Sequence, residues 1–316
     1  MAIPYMGSKR KSASKIVNII EEYCKSNGSK IIIDLFTWWF AVWEEFLKKW
    51  YTVIANDKNK YVIALLNKVI NEKLDENKCL EWVSREKFKD VLENKNKYED
   101  WYIWYVMCIW SFWNNQKKWY LFGEDNEIKK YSLYQLVVNK KVDDFVKWIM
   151  PQKYIDWIIK QDNWHKRRMA LKKVLWVLSN RNDLESLQSL ERLQRLESLE
   201  SLERLQSLES LQSLESLESC KLTSLDYAEV DIPNDAIVYC DPPYQWTATY
   251  SEWWFNHVEF WDYIRKISKT NKVFISEYNA PDDFETIYEF SQKSLLAWWT
   301  QLHNNQPNEK LFIFKN

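Results

Sequence analysis

Glycine is almost missing. The chain has 3 glycines in 316 residues, where an ordinary protein devotes about 7% of its positions to that residue. Tight turns and close backbone approaches must then be made by other residues. Histidine is as scarce, at 3, and the five cysteines (Cys24, Cys79, Cys108, Cys220, Cys240) are scattered, with no C-x-x-C pair. That spacing argues against a zinc site or a disulfide framework and fits a reducing compartment. Long hydrophobic runs are absent too. The longest charge-free stretch, Trp101 to Gln116, is too short and too polar at its end to cross a bilayer. No signal pattern opens the chain. A cytoplasmic protein with no membrane partner is expected.

What the chain has in excess is tryptophan, 20 residues, so that glycine and tryptophan together make 23 of 316. That total is close to an ordinary glycine share. The tryptophans also sit in glycine-like places: Trp38 and Trp39 in a strand-to-helix turn, Trp50 between a helix and a strand, Trp253 and Trp254 in a loop, Trp298 and Trp299 at a strand end. We read most of them as glycines in life, through a codon such as UGA that the source decodes as glycine. Trp82, Trp101, Trp110, Trp148, Trp164 and Trp261 lie in apolar-periodic contexts and read as true tryptophans. The other reading is a protein rich in tryptophan throughout, and TGG at codons 38, 39 and 246 would establish it.

Residues 1–72 alternate helix and strand signals. A helix runs to about Cys24, "KIIIDLF" is a short buried strand, "AVWEEFLKK" is helical, "YTVIAND" is a second strand, and a helix follows through "KYVIALLNKVI". This β-α-β pattern implies a parallel sheet covered on both faces. Residues 75–182 lose the alternation and read as mainly helical. Strand signals return at "AIVYCDPPY" (236–244), "KVFISEYN" (272–279), "SLLAWW" (294–299) and "KLFIFK" (310–315). A long insertion therefore splits the sheet.

Residues 184–219 are twelve triplets with leucine at every third position from Leu184 to Leu217. Successive leucines move about 60° around an α-helix, so they spiral instead of forming one stripe. An irregular or self-associating helix, or a disordered spacer, is expected, and no catalytic role. Its eight glutamates and three arginines carry −5, so the remainder of a chain whose net charge is −1 carries +4. A mildly basic body suits a polyanionic partner.

The strongest local signal is Asp241-Pro242-Pro243-Tyr244, at the end of the apolar strand "AIVYC". Ligands of parallel sheets bind at the carboxyl ends of strands. Two prolines hold the chain extended, with carbonyls that no neighbouring proline N–H can occupy. A carboxylate before them and a ring after them make a flat slot whose acceptors fit an amino group and whose ring fits a base. The alternative is a strand ending in a plain Pro-Pro turn.

This segment is one of several that resemble, in matching order, the Dam-like family of DNA adenine-N6 methyltransferases. "YMGSK" (5–9) is similar to the family's N-terminal aromatic-x-Gly-x-Lys element, "DLFTWWF" (34–40) to its Asp/Glu-x-Phe-x-Gly strand and turn, and "NDKN" (56–59) to the acidic end of its second strand. "DPPY" resembles the catalytic motif, "SEYN" (276–279) the strand after it, and "SFWNNQKKWYLFG" (111–123) the segment leading to DNA recognition. The resemblance implies an α/β protein: a Rossmann-like methyltransferase sheet with a mainly helical inserted target-recognition domain and the Leu-Glu-Ser triplet-repeat segment. Residues 1–74 and 221–316 would form the S-adenosylmethionine-binding catalytic domain, 75–182 the recognition insertion and 183–220 the repeat. The setting is a bacterial cell or a phage-infected host.

The activity implied is methyl transfer from S-adenosyl-L-methionine, without a metal, to the N6 amino group of adenine in double-stranded DNA. Asp241, Pro242, Pro243 and Tyr244 would be catalytic. Tyr5, Lys9, Asp34, Phe36, Trp38, Asp57 and Asp241 would line the donor site. Asp57 lies 23 residues after Asp34, where an acid can accept from ribose hydroxyls; a helix-capping Asp is the alternative. Lys9 fits the donor's carboxylate, or with Arg10, Lys11 and Lys15 a solvated basic face; Tyr5 alone would suit a core. Asn114, Asn115 and Lys117 would meet base edges or backbone. Arg167 and Arg168, in the basic stretch "NWHKRRMALKK" (163–173), would meet phosphates, or form a solvated helix face. Trp38, Trp39, Trp113, Trp119 and Trp246 stand where the family commonly has glycine. Two rivals stay open: a cytosine-N4 or RNA methyltransferase, and a non-catalytic DNA-binding or repeat-assembled protein derived from such an enzyme.

Overall fold

The computed structural model describes residues 9, 12–25, 28–38, 40–111, 119–179, 199–244, 255–290 and 308–315. The helices, in chain order, are α1 (Ala13–Tyr23), α2 (Ala41–Lys48), α3 (Lys60–Asn67), α4 (Glu76–Cys79), α5 (Arg85–Glu93), α6 (Asp100–Ile109), α7 (Glu124–Asn139), α8 (Asp144–Ile149), α9 (Gln152–Ile159), α10 (Trp164–Ser179), α11 (Glu200–Gln212) and α12 (His257–Ile267). None among the described residues is long and apolar enough to cross a membrane. The chain divides into two compact units: Met1–Lys73, Asp100–Trp104 and Leu208–Asn316 form one, and Leu74–Glu99 with Tyr105–Ser207 form the other.

The first unit is built on a seven-stranded sheet. Its strands are β1 (Ile31–Asp34), β2 (Thr52–Asn56), β3 (Cys220–Thr223), β4 (Ile237–Cys240), β5 (Lys272–Glu277), β6 (Phe284–Glu289) and β7 (Lys310–Phe314), in the order β3-β2-β1-β4-β5-β7-β6. The neighbours from β3 to β5 pair in parallel, and β7 runs antiparallel between β5 and β6. This mixed α/β sheet fits a methyltransferase fold. β4 (IVYC) is buried at every residue and β5 at all but its first, as expected of strands covered on both faces. One face is closed by α12, whose Phe260, Trp261 and Ile264 pack on Ile33, Val238, Val273, Ile275 and Phe312.

Two strands escape the sequence reading, and both are sheet edges. β3 (CKLT) has no fully buried residue, and β6 (FETIYE) buries only Phe284. An edge strand needs less apolar surface and so leaves a weaker pattern. The expected strand 294–299 lies outside the described residues.

Among the described residues, Trp50 is the glycine-like tryptophan with a left-handed backbone. The Trp50 N–H donates to the Leu47 carbonyl at 2.9 Å and the Tyr51 N–H to the Phe46 carbonyl at 3.2 Å, the paired bonds of a Schellman helix end. Its φ of 61° is left-handed, the conformation for which that position selects glycine, and its ring is 70% exposed. Trp50→Gly is expected to raise stability by about 1 kcal/mol, read from the urea midpoint; a lower midpoint would mean that the indole packs usefully. Other tryptophans belong to the core: Trp43, Trp104, Trp110 and Trp164 are buried. Trp148, expected among the packed ones, is instead exposed.

In the second unit, the described part of 75–182 is helical. The repeat departs from expectation. Residues 184–198 lie outside the described residues, but 200–212 form the regular helix α11, not an irregular one or a spacer. Leu199, Leu202, Leu205, Leu208 and Leu211 are all buried. Five leucines turning by about 60° each span about 240° of the circumference in four steps, so the row suits a helix embedded on most of its sides. Arg204 is buried with it, and one guanidinium nitrogen donates to the carbonyls of Cys108 (2.9 Å), Ile109 (3.1 Å) and Ser111 (2.9 Å). These are the orphan carbonyls at the end of α6.

Candidate active site

The strand order reverses at the β1–β4 pair, where β1 leads away to β2 on one side and meets β4 on the other. Such a switch point opens a crevice beyond the carboxyl ends of the strands. Asp34 ends β1 opposite Ala55 of β2 and Tyr239 of β4. Asp57 follows β2 and Asp241 follows β4. A residue not singled out in the sequence, Asn56, fastens this edge: its amide donates to the Leu35 carbonyl (3.2 Å) and the Leu225 carbonyl (3.0 Å) and accepts from Thr223 (2.8 Å) and the Leu225 N–H (3.0 Å). An Asn-Asp pair in a loop-like sequence signals a turn, and only the sheet reveals the clamp.

All three acids are held above the ordinary carboxylate range. Burial is the main cause in each. At Asp34 the Phe36 N–H opposes it, bonded at 3.2 Å, while Asp241 and Asp57 add to the rise. Asp57 is pushed up to about 7, against the backbone N–H groups of Asn59 and Trp38. At Asp241 Lys9 opposes the rise and Glu309 adds to it. A carboxyl whose folded pKa is raised favours folding below its ordinary value, and the advantage is lost as the pH climbs through the folded value. Asp57→Asn should therefore flatten the decline of melting temperature between about pH 4 and 7; curves parallel to the parent's would mean that Asp57 ionises at no cost.

Lys9 lies inside this cluster. It is 4% exposed, which rules out the solvated basic face for this residue; Arg10 and Lys11 lie outside the described residues. Its ammonium pairs with Asp241 Oδ1 at 2.9 Å and Glu309 Oε1 at 3.1 Å, and donates to the Tyr244 hydroxyl. Burial alone would lower its pKa, but the two carboxylates hold it above the ordinary lysine value. Tyr244 in turn donates to Asp241 Oδ1 at 2.9 Å, and its ring meets Tyr278 edge-on at 5.0 Å. Among the described residues no bond reaches Asp241 Oδ2.

The other expected site residues divide. Phe36 packs among Tyr227, Phe255 and Phe260. Trp38 stands edge-on to Trp104 at 5.5 Å, in the turn above Asp57. Pro242 is buried and Pro243 half-buried. Tyr5, Trp39, Asn114, Asn115, Lys117 and Trp246 lie outside the described residues.

Arg167 and Arg168 need correcting. Arg167 is 6% exposed and donates to the backbone carbonyls of Val137, Val138 (3.2 Å), Gln161 (3.1 Å) and Asp162 (3.3 Å). Arg168, 8% exposed, bonds Glu203 at 2.8 Å and Gln206 at 2.6 Å. Both guanidinium groups serve internal structure, so neither the phosphate contact nor the solvated face fits them. The exposed basic residues of α10 are Lys166, Lys172 and Lys173.

Residues 5–105 match the model of the family described as D12 class N6 adenine-specific DNA methyltransferase. No curated protein matches the chain. The matched span includes Lys9, Asp34, Phe36, Trp38 and Asp57; Asp241–Tyr244 lie beyond it and are brought alongside by the sheet. The match over residues 5–105 supports the resemblance of its motifs to the Dam-like family of adenine methyltransferases.

Proposed function

We propose that this protein transfers a methyl group from S-adenosyl-L-methionine to the N6 amino group of adenine in double-stranded DNA. The observation that carries the reading is the meeting of Lys9, Asp34, Asp57 and Asp241–Tyr244 at the carboxyl ends of β1, β2 and β4. A target amino group is hidden in a base pair, so the adenine leaves the duplex to reach this edge.

A cationic donor beside Asp34, Asp57 and Asp241 would favour their ionised forms, against the burial that raises their pKa values. When bound, the donor supplies a methyl carbon made electrophilic by its sulfonium sulfur. Asp57 is placed to accept from ribose hydroxyls. Asp241 and the Pro242 carbonyl accept the two amino hydrogens, and the ring of Tyr244, held edge-on by Tyr278, stacks on the base. Lys9 fixes Asp241 and Tyr244, and positioning provides most of the rate. Asp at the first motif position favours adenine over cytosine-N4. Sequence recognition falls to the helical unit and to residues 112–118.

The test is expression in a host lacking adenine methylation, with glycine or tryptophan at positions 38, 39 and 246, followed by nucleoside analysis of its DNA. N6-methyladenine is expected. N4-methylcytosine, or methylated RNA alone, would favour the first rival; DNA binding with no donor binding in either form would favour the second.

A further inference from the structure

Because β7 runs antiparallel to β5, its amino end lies at the edge where the parallel strands have their carboxyl ends; Lys310 pairs with Glu277, the last residue of β5. Glu309 immediately precedes β7 and so projects from the edge that carries Asp241. Its backbone is fixed there by the Phe290 N–H, which donates to the Glu309 carbonyl at 2.8 Å. Its side chain pairs with Lys9 at 3.1 Å. Lys9 therefore has two carboxylate partners, although one would neutralise it, and the three groups together carry one negative charge. Around a buried lysine, with carboxylates only 15% and 24% exposed, a spare charge is held at some cost to folding.

The proposed reaction gives that charge a use. As the amino nitrogen forms its bond to the methyl carbon, the carbon–sulfur bond breaks with its electron pair on sulfur. Positive charge moves from sulfur to nitrogen, and one N–H proton then leaves, with Asp241 as first acceptor and water as the sink. A preorganised negative charge beside that nitrogen is worth most at the moment when charge develops. We infer that Glu309 is a positioning residue of the methyl-transfer site: it holds Lys9 against Asp241 and Tyr244 and leaves the cluster net negative towards the nitrogen that becomes cationic. This rests on the adenine methylation proposed above.

Asp241 also feels Lys9, Tyr244, Glu309, Tyr239, Tyr278 and Asp34. Of these, Glu309 raises its pKa, so removing the Glu309 charge lowers the pH at which Asp241 ionises. In the 316-residue chain, with tryptophan or glycine at 38, 39 and 246, Glu309→Gln is expected to lower kcat roughly 10-fold, less than the roughly 100-fold typical of a directly donating group. KM for donor and DNA should hold, and the acid limb of the kcat profile should move to lower pH. Glu309→Asp keeps the charge and should keep the limb in place, at a smaller loss of kcat.

A parent that methylates adenine while Glu309→Gln keeps its kcat and its acid limb overturns the role of Glu309 alone. Should Glu309→Gln melt below the assay temperature, Glu309→Asp decides: a shifted limb in that variant overturns the inference. A parent that methylates no adenine in either form removes the functional reading, and this role with it.

Discussion

Asp241→Ala is expected to abolish the proposed methyl transfer, with kcat down roughly 10³-fold or more. Two losses combine in this variant. The target amino group loses a hydrogen acceptor, a role that by itself is commonly worth roughly 10²- to 10⁴-fold. Lys9 and Tyr244 also lose the atom that orients them, Asp241 Oδ1, which each engages at 2.9 Å. The ammonium keeps Glu309 at 3.1 Å, so it is not left as an unpaired buried charge, and the variant should still fold. Asp241→Asn separates the two losses, because it keeps the shape and an acceptor oxygen but no charge. An intermediate rate is expected. Rates are measured by transfer of labelled methyl to DNA under saturating donor, and an Asp241→Ala rate within tenfold of the parent refutes the assignment.

The combined change Trp38→Gly with Trp39→Gly is expected to strengthen binding of the proposed donor by roughly 10- to 100-fold, since overfilling a packed site costs about 1–3 kcal/mol. The turn after β1 carries a backbone N–H that bonds Asp57, so donor and turn must approach closely. Glycine permits that approach, and an indole obstructs it. The Trp38 ring rests against Trp104, and its removal leaves room in the turn that meets Asp57 through its backbone. Calorimetric titration with S-adenosylmethionine reads the effect directly. Equal affinities with and without the rings would mean that the donor does not use this turn, and that tryptophan belongs there.

Much of the sheet was legible because its central strands must be apolar on both faces; "KIIID", "TVIAN" and "AIVYC" could hardly be anything else. The edges were not, since β3 and β6 need only partial cover. Asp34, Asp57 and Asp241 were readable from strand ends, where parallel sheets concentrate chemistry. Lys9 had two readings; the fold closes a gap of more than 200 positions in the chain, removes the solvated face and pairs it with Asp241 and Glu309, a role neither reading held. Glu309 gave no signal at all: one glutamate ahead of a strand is ordinary, and only an antiparallel last strand turns it towards the site. Arg167 and Arg168 misled for a simple reason. A run of cations counts charge, but burial decides what the charge does.

The buried thread of leucines in α11 is blind to a shift of three residues along the chain, because each triplet repeats the residue pattern of the last, turned by about 60°. Along 199–217 a single cation, Arg204, interrupts that sameness by locking onto the end of α6. It acts as the index mark on an otherwise unmarked screw. Gain or loss of whole triplets elsewhere in the repeat leaves the packing pattern intact and the setting of the screw to one side chain.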